Sequence, residues 1–246
     1  MGSRTRVPAR GQGSVLGRFQ SGPCRGDYLI PGGRRGRPLR GVYLVTSPQR
    51  PLARLLAIVA AALEGGASLV QLRDKGAYSE ADRTEAGRGL KELCQAHDVP
   101  FLVNDDPELA RRLVADGVHV GRGDPSPRVA RAILGPRAIV GATVYGKPGE
   151  EEDATRAGAD YLAVGPFYPS PTKPEESVLP LQILDGVVHR ARVPVFAIGG
   201  ISAENAGVLA RHGVAGIAIV SAIMDAQDPR AATAAIRRAF MEDVTR

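Results

Sequence analysis

Eight short apolar runs, each followed by an Ala-, Leu- and Arg-rich stretch of helical spacing, predict an α/β protein with a (β/α)8 TIM-barrel fold. Two further observations point the same way. The runs are rich in Val, Ile and Leu, as strands buried on both faces must be. Gly-containing turns also recur where helical stretches give way to the next run, at 65–67, 116–117, 157–160 and 212–215. A chain of 246 residues with 43% hydrophobic content is large enough to bury one such core. Aromatics are only 4% and Trp is absent, so the core is expected to consist largely of Ala, Val, Leu and Ile. Periodicity alone does not close a sheet, and an open doubly wound sheet obeys the same alternation.

The first expected strand is 42–46 (Val-Tyr-Leu-Val-Thr), followed by a helical stretch at 51–65 that ends in Gly65-Gly66-Ala67. The second strand, 68–73, precedes a helix at 79–97. The third, 100–104, precedes one at 107–115, where Pro107 suits a first helical turn. Asp116-Gly117 then turns into a fourth strand at 117–121, with a helix at 126–134. The fifth strand, 138–143, and a Glu-rich helix at 149–157 lead through Ala157-Gly-Ala-Asp160 to a sixth strand at 160–165. A connection spanning about 166–179, stiffened by Pro166, Pro169, Pro171 and Pro174, is long enough to be functional. A helix at 180–191, a strand at 194–198 and a helix at 202–212 follow. His212-Gly-Val-Ala215 then opens the last pair, at 215–220 and 228–241.

The N-terminal 40 residues stand apart. They are rich in Gly, Pro and Arg without any sustained period, and are expected to form a disordered extension joined to a single catalytic domain at 41–246. Nine arginines and one acid, Asp27, give this extension +8 of the overall +6, which leaves −2 for the rest. The basicity therefore belongs to the tail, which lacks the interleaved aromatics of a nucleic-acid stacking surface, so no specific nucleic-acid partner is expected. Neither Cys24 nor Cys94 has metal-ligand or redox spacing. No run reaches the roughly 18 apolar residues of a membrane span, and no apolar segment follows the charged start. A cytoplasmic protein without membrane partners is expected, and a homo-oligomer is compatible with the sequence.

In a barrel of this type the chemistry sits where strands end and helices begin. Along Leu69-Val-Gln-Leu-Arg-Asp-Lys75 side chains alternate, so Gln71, Arg73 and Lys75 share one face and Val70 and Leu72 the other. The third strand ends in Asn104 and Asp105, the fourth is followed by Asp124, and the fifth ends in Thr143. Asp105 and Asp124 could each serve only as helix caps before a proline. Two carboxylates on neighbouring strand ends, facing the cations Arg73, Lys75 and Lys173, instead suit Mg²⁺ and a di- or polyphosphate, because Mg²⁺ needs few protein oxygens when phosphate supplies others. Gly199, Gly200 and the turn after Ser221 occupy the strand-seven and strand-eight loops, the usual phosphate cradle of this architecture. His119 and Tyr145 are read as a packed strand histidine and a rim aromatic.

The segments Gln71-Leu-Arg-Asp-Lys75, Val103-Asn-Asp105, Asp116-Gly-Val-His-Val-Gly121 with Asp124, Asp160-Tyr-Leu-Ala-Val-Gly-Pro166, Pro171-Thr-Lys173 and Ala197-Ile-Gly-Gly-Ile201 together resemble the thiamine phosphate synthase family. The resemblance runs from Tyr43 to Phe240. It implies a transferase of thiamine biosynthesis that joins hydroxymethylpyrimidine diphosphate to hydroxyethylthiazole phosphate, giving thiamine phosphate and pyrophosphate. It assigns Gln71, Arg73, Lys75, Asn104 and Lys173 to the pyrimidine diphosphate, and Asp105 and Asp124 to Mg²⁺. Ser170, Thr172, Gly200, Val220 and Ser221 are assigned to the thiazole phosphate, and Thr143 lies near the reacting centre. Arg73, Lys75, Thr143 and Lys173 are thus the implied catalytic groups.

Four positions depart from the family pattern. Arg122-Gly123 stands where an amide and an acid are usual, Thr143 replaces Ser, Ser170 replaces Thr, and Tyr145 replaces His. Arg122 brings an extra cation near the expected metal. The alternatives are a thiazole tautomerase paralogue, which has no use for the Asp105/Asp124/Lys173 set, a sugar-phosphate epimerase or lyase, whose inward acid/base pair is not found, and a non-catalytic interaction protein working through the basic tail.

Overall fold

The computed structural model describes residues 38–49, 51–170 and 177–244. Eight parallel strands close on themselves in sequence order, β1 pairing with both β2 and β8. They are β1 Gly41–Val45, β2 Ala67–Leu72, β3 Phe101–Asn104 and β4 Gly117–Val120, then β5 Ile139–Val144, β6 Tyr161–Val164, β7 Val195–Ile198 and β8 Gly216–Ile219. The helices that follow the first four strands are α1 Leu52–Glu64, α2 Glu80–Ala96, α3 Pro107–Leu113 and α4 Pro127–Leu134. Those after β5, β6 and β7 are α5 Glu150–Arg156, α6 Leu181–Arg190 and α7 Ala206–Arg211. Two helices follow β8, α8 Ser221–Met224 and α9 Pro229–Val244. The closed sheet excludes the open doubly wound alternative.

The expected segments match these elements closely, with two instructive differences. The helix expected from 202 begins only at Ala206, because the Asn205 side chain accepts from Ser202 N at 2.9 Å and donates to the Gly200 carbonyl at 3.0 Å. Those two bonds hold 202–205 as a turn. The short α8 was not expected, since four residues cannot display a helical period. Serine and aspartate caps start α2, α3 and α4: Ser79, Asp106 and Ser126 each accept a backbone N–H three residues on.

Two apolar cores result. The outer one lies between sheet and helices and is built from Val42, Leu44, Val70, Leu72, Val118 and similar aliphatic residues, as composition implied. The inner one fills the barrel with Tyr43, Leu69, Leu102, Ile139, Tyr161 and Phe196, and Leu39, just before β1, also lies in it. Three of the chain's few aromatic rings are therefore concentrated on the barrel axis, packed edge to face at centroid distances of 5.4–5.9 Å. Glycines make the space. A Cβ on Gly141 would lie 2.1 Å from the Tyr161 ring, and one on Gly216 would lie 2.4 Å from Phe196. Cys94 is a buried thiol of α2, and Cys24 lies outside the described residues. Apart from Pro38–Arg40, the expected N-terminal extension lies outside them too.

Candidate active site

The strand ends enclose a cavity of about 360 Å³. Its walls bring together residues that are far apart in the chain. Gln71, Arg73 and Lys75 come from β2 and its loop, Asn104 and Asp105 from the end of β3 and its loop, and Asp124 from the β4 loop. Thr143 is the next-to-last residue of β5, Ser170 lies beyond β6, Gly200 follows β7, and Val220 and Ser221 follow β8. Every site residue expected from sequence that the structure describes thus faces one space. Thr172 and Lys173 lie outside the described residues.

Local backbone conformation decides which of two adjacent aspartates is available. Asp106, with extended backbone, caps α3 by accepting Leu109 N at 2.8 Å. Asp105, at φ 66°, is turned the other way and donates its own N–H to the His119 carbonyl at 2.7 Å. Its carboxylate therefore owes nothing to the helix and reaches Lys75 Nζ at 2.5 Å. Lys75 is itself in the left-handed region, at φ 48°. Such φ values in non-glycine residues persist only where surrounding contacts hold them.

Here Arg83 on α2 is one such contact. It bonds the buried Asp74 carboxylate at 3.2 Å and Asp106 at 3.3 Å, tying the β2 and β3 loops together beneath Lys75 and Asp105. Thr46, also buried, accepts Arg73 N at 2.9 Å and so fixes where that side chain starts. Sequence reading missed this supporting set. Its only signal was the acid, Asp74, placed between two cations.

Asp124 is likewise not a helix cap, since Ser126 caps α4. One Asp124 oxygen accepts Gly121 N at 2.7 Å. Partial burial pushes its carboxyl above the usual carboxylate range, and hydrogen bonding and repulsion from Asp105 add to the rise; the Gly121 N–H and Lys75 oppose it. Two carboxylates thus share one lysine, which does not offset the burial of Asp124 and its contact with Asp105. This donor set fits a hard divalent cation. Among the described residues no third acid, His or Cys joins them in a metal-binding cluster, so other ligands of such an ion would be water or substrate oxygen. Arg122 lines the same cavity as this pair. Its guanidinium lies 3.8 Å from the centre of the Tyr145 ring, so two of the four departures from the family pattern form one cation–π contact at the rim.

Beneath the charged groups, Gln71 Nε2 donates to the Tyr43 hydroxyl at 2.5 Å, and Tyr43 and Tyr161 hydroxyls meet at 2.9 Å. Tyr161 also meets His119 Nδ1 at 2.9 Å, and His119 Nε2 meets Thr143 Oγ1 at 2.9 Å. His119 is buried and stacked on Tyr161. Neither tyrosine was expected at the site, although a glycine register partner for a bulky inward residue, Gly141 beside Tyr161, is a readable signal.

On the far wall the β6 and β7 loops are stitched together, Phe167 N to Ile198 O and Tyr168 N to Gly199 O, both at 3.2 Å. Gly199 and Gly200 take φ of 99° and 61°, and a Cβ on Gly200 would sit 2.3 Å from Pro169 O.

A model of the family described as thiamine monophosphate synthase matches residues 42–223. The thiamine-phosphate synthase of Thiobacillus denitrificans is 47% identical over 187 residues, covering 76% of this chain and 88% of the relative. That of Geobacillus kaustophilus is 42% identical over 205 residues, covering 80% and 89%. Among solved structures, thiamine phosphate pyrophosphorylase from Pyrococcus furiosus superposes with a TM-score of 0.75 at 37% identity, covering 83% of this chain and 96% of that one.

Proposed function

The chain belongs to the thiamine monophosphate synthase family, a family of transferases, and on that premise we propose that it joins hydroxymethylpyrimidine diphosphate to hydroxyethylthiazole phosphate, releasing pyrophosphate. The observation that carries this reading is the Asp105/Asp124 pair facing one space with Lys75 and Arg73. A thiazole tautomerase has no need of such a charge arrangement. We assign Asp105 and Asp124 to Mg²⁺, and Gln71, Arg73, Lys75 and Asn104, with Lys173, to the pyrimidine diphosphate. Ser170, Gly200, Val220 and Ser221, with Thr172, are assigned to the thiazole phosphate. When bound, Mg²⁺ supplies positive charge to the departing diphosphate oxygens.

The residues of the chain account for the rest. The thiazole nitrogen brings its own lone pair, so no general base is required, and none is assigned. The demanding event is loss of diphosphate from the pyrimidine's exocyclic carbon. Arg73 makes no ion pair among the described residues, so its guanidinium is free to meet the growing negative charge, and Lys75 stands beside it. Asn104 and Gln71, both buried, offer amides that can orient a heterocycle. Positive-φ glycines after β7 and the turn into α8 expose backbone N–H groups suited to a monophosphate.

We further take residues 41–246 as the catalytic domain, acting in the cytoplasm on small molecules only. Among the described residues no helix is long and apolar enough to cross a membrane. The deciding experiment mixes both substrates with Mg²⁺ and follows pyrophosphate. Release only when both are present is expected. Release from either substrate alone, or from neither mixture, would reject the assignment.

A further inference from the structure

An unbroken line of hydrogen bonds runs below the cavity, from Gln71 Nε2 through the hydroxyls of Tyr43 and Tyr161 and both nitrogens of His119 to Thr143 Oγ1. Its direction can be worked out from proton counting. Each hydroxyl has a single proton to give, and a neutral imidazole has one donor and one acceptor nitrogen. Burial holds both tyrosines above their ordinary range, so each keeps its proton.

Gln71 donates its amide N–H to the Tyr43 oxygen. Tyr43 is fully buried, and the one acceptor left to it among the described residues is the Tyr161 oxygen. Tyr161 must then give its proton to His119 Nδ1. That places the imidazole proton on Nε2, which donates to Thr143 Oγ1. The Thr143 proton is left over, and its open side is the cavity.

We propose that Tyr43, Tyr161 and His119 are positioning residues that fix this direction, so that Thr143 meets the substrate as a hydrogen-bond donor while the Gln71 amide oxygen meets it as an acceptor. The opposite direction would need the Gln71 amide turned over and would aim Thr143's proton down at His119. Only the lone pairs of the Thr143 oxygen would then face an anionic leaving group on that side. The proposal deepens the synthase reading and rests on it for one point, the identity of the group that Thr143 meets. In that reaction the carbon–oxygen bond breaks with its electron pair going to the diphosphate, and the thiazole nitrogen lone pair forms the new bond to carbon. Thr143 keeps its proton throughout and only stabilises the charge that develops.

The first test needs no turnover. The chain has four histidines, and ¹⁵N spectra of the full-length protein with labelled histidine, assigned by loss of one signal in His119→Asn, report the tautomer directly. A proton on Nε2 of His119 is expected; a proton on Nδ1 would overturn the proposal. The second test is kinetic. Tyr161→Phe should lower kcat by roughly tenfold, within the range for a misplaced catalytic group, with KM for both substrates nearly unchanged. In a Thr143→Val background the same change should add no further loss, because Tyr161 acts through Thr143. Multiplicative losses would show a merely structural role for Tyr161. His119→Gln, whose amide nitrogen can occupy the Nε2 position, should retain more activity than His119→Asn; the reverse order would count against the proposal. A wild type unable to release pyrophosphate would reject the synthase reading alone, leaving the tautomer to decide the direction of the line.

Discussion

Inside the barrel the Tyr161 hydroxyl has a partner on either side at 2.9 Å, whereas at the mouth Asp124 faces a second carboxylate, Asp105, with one lysine between the two. Both regions are polar, yet the protein treats them differently. In the floor, each buried donor from Gln71 to His119 is matched to an acceptor, as a low-dielectric interior demands. In the mouth, two acids share one lysine, and Arg73 has no ion-pair partner among the described residues. Groups matched within the protein hold a fixed arrangement beneath the cavity, and a cation left unmatched at its mouth is open to a ligand.

The sharpest way to break that comparison is at Asp124. Asp124→Asn keeps the acceptor for Gly121 N but removes one of two facing charges. Turnover should fall by about a hundredfold, the scale of losing one preorganised electrostatic contact. Thermal stability should hold or rise. The sign follows from the raised carboxyl: the fold favours its protonated form, a contribution fully present below the ordinary carboxylate value and lost as pH rises through the raised one. The melting temperature of Asp124→Asn should therefore gain on wild type as pH increases through that window. A variant that is less stable than wild type at neutral pH would show that Asp124 serves the fold instead.

Arg83→Met tests the layer between the two regions. It leaves buried Asp74 without its cation and frees the β2 and β3 loops. KM for the diphosphate substrate should rise about tenfold, with a smaller change in kcat, since the arginine supports Lys75 and Asp105 without entering the cavity. Unchanged steady-state constants would remove Arg83 from the site. Gly141→Ala probes the floor. Its methyl would collide with the Tyr161 ring, and overpacking of this kind costs about 1–3 kcal/mol, or a fall of several degrees in Tm. Smallest of all, removing residues 1–37 should leave kcat and KM within about twofold, because Leu39, which packs inside the barrel, is retained. A large rise in KM would bring the basic segment into the site.

Much of the barrel is legible in the chain because Val/Ile/Leu runs recur at strand length between helical stretches, and side-chain alternation put Gln71 and Arg73 on the inner face without any coordinates. Asp105, not Asp106, is the aspartate that strand position and the resemblance name, but residue type gives no physical reason for the choice. Both precede Pro107, and only the left-handed turn at Asp105 sends one carboxylate to the cavity and the other to the helix. The floor was harder still. Tyr43 and Tyr161 lie 118 residues apart, and neither residue type nor spacing reveals a contact made only when the sheet closes. His119 was read as a packed strand histidine, and it is packed. Its second nitrogen, on Thr143, is what gives the packing a bearing on chemistry. The start of α7 was misplaced because a side-chain amide, Asn205, competes for backbone groups that a helix would otherwise use.

The three rings on the barrel axis have a final consequence. With the aliphatic side chains of the inner core they fill the barrel below the cavity, so the molecule is a cup and not a tube. Whatever goes in must come out by the same opening.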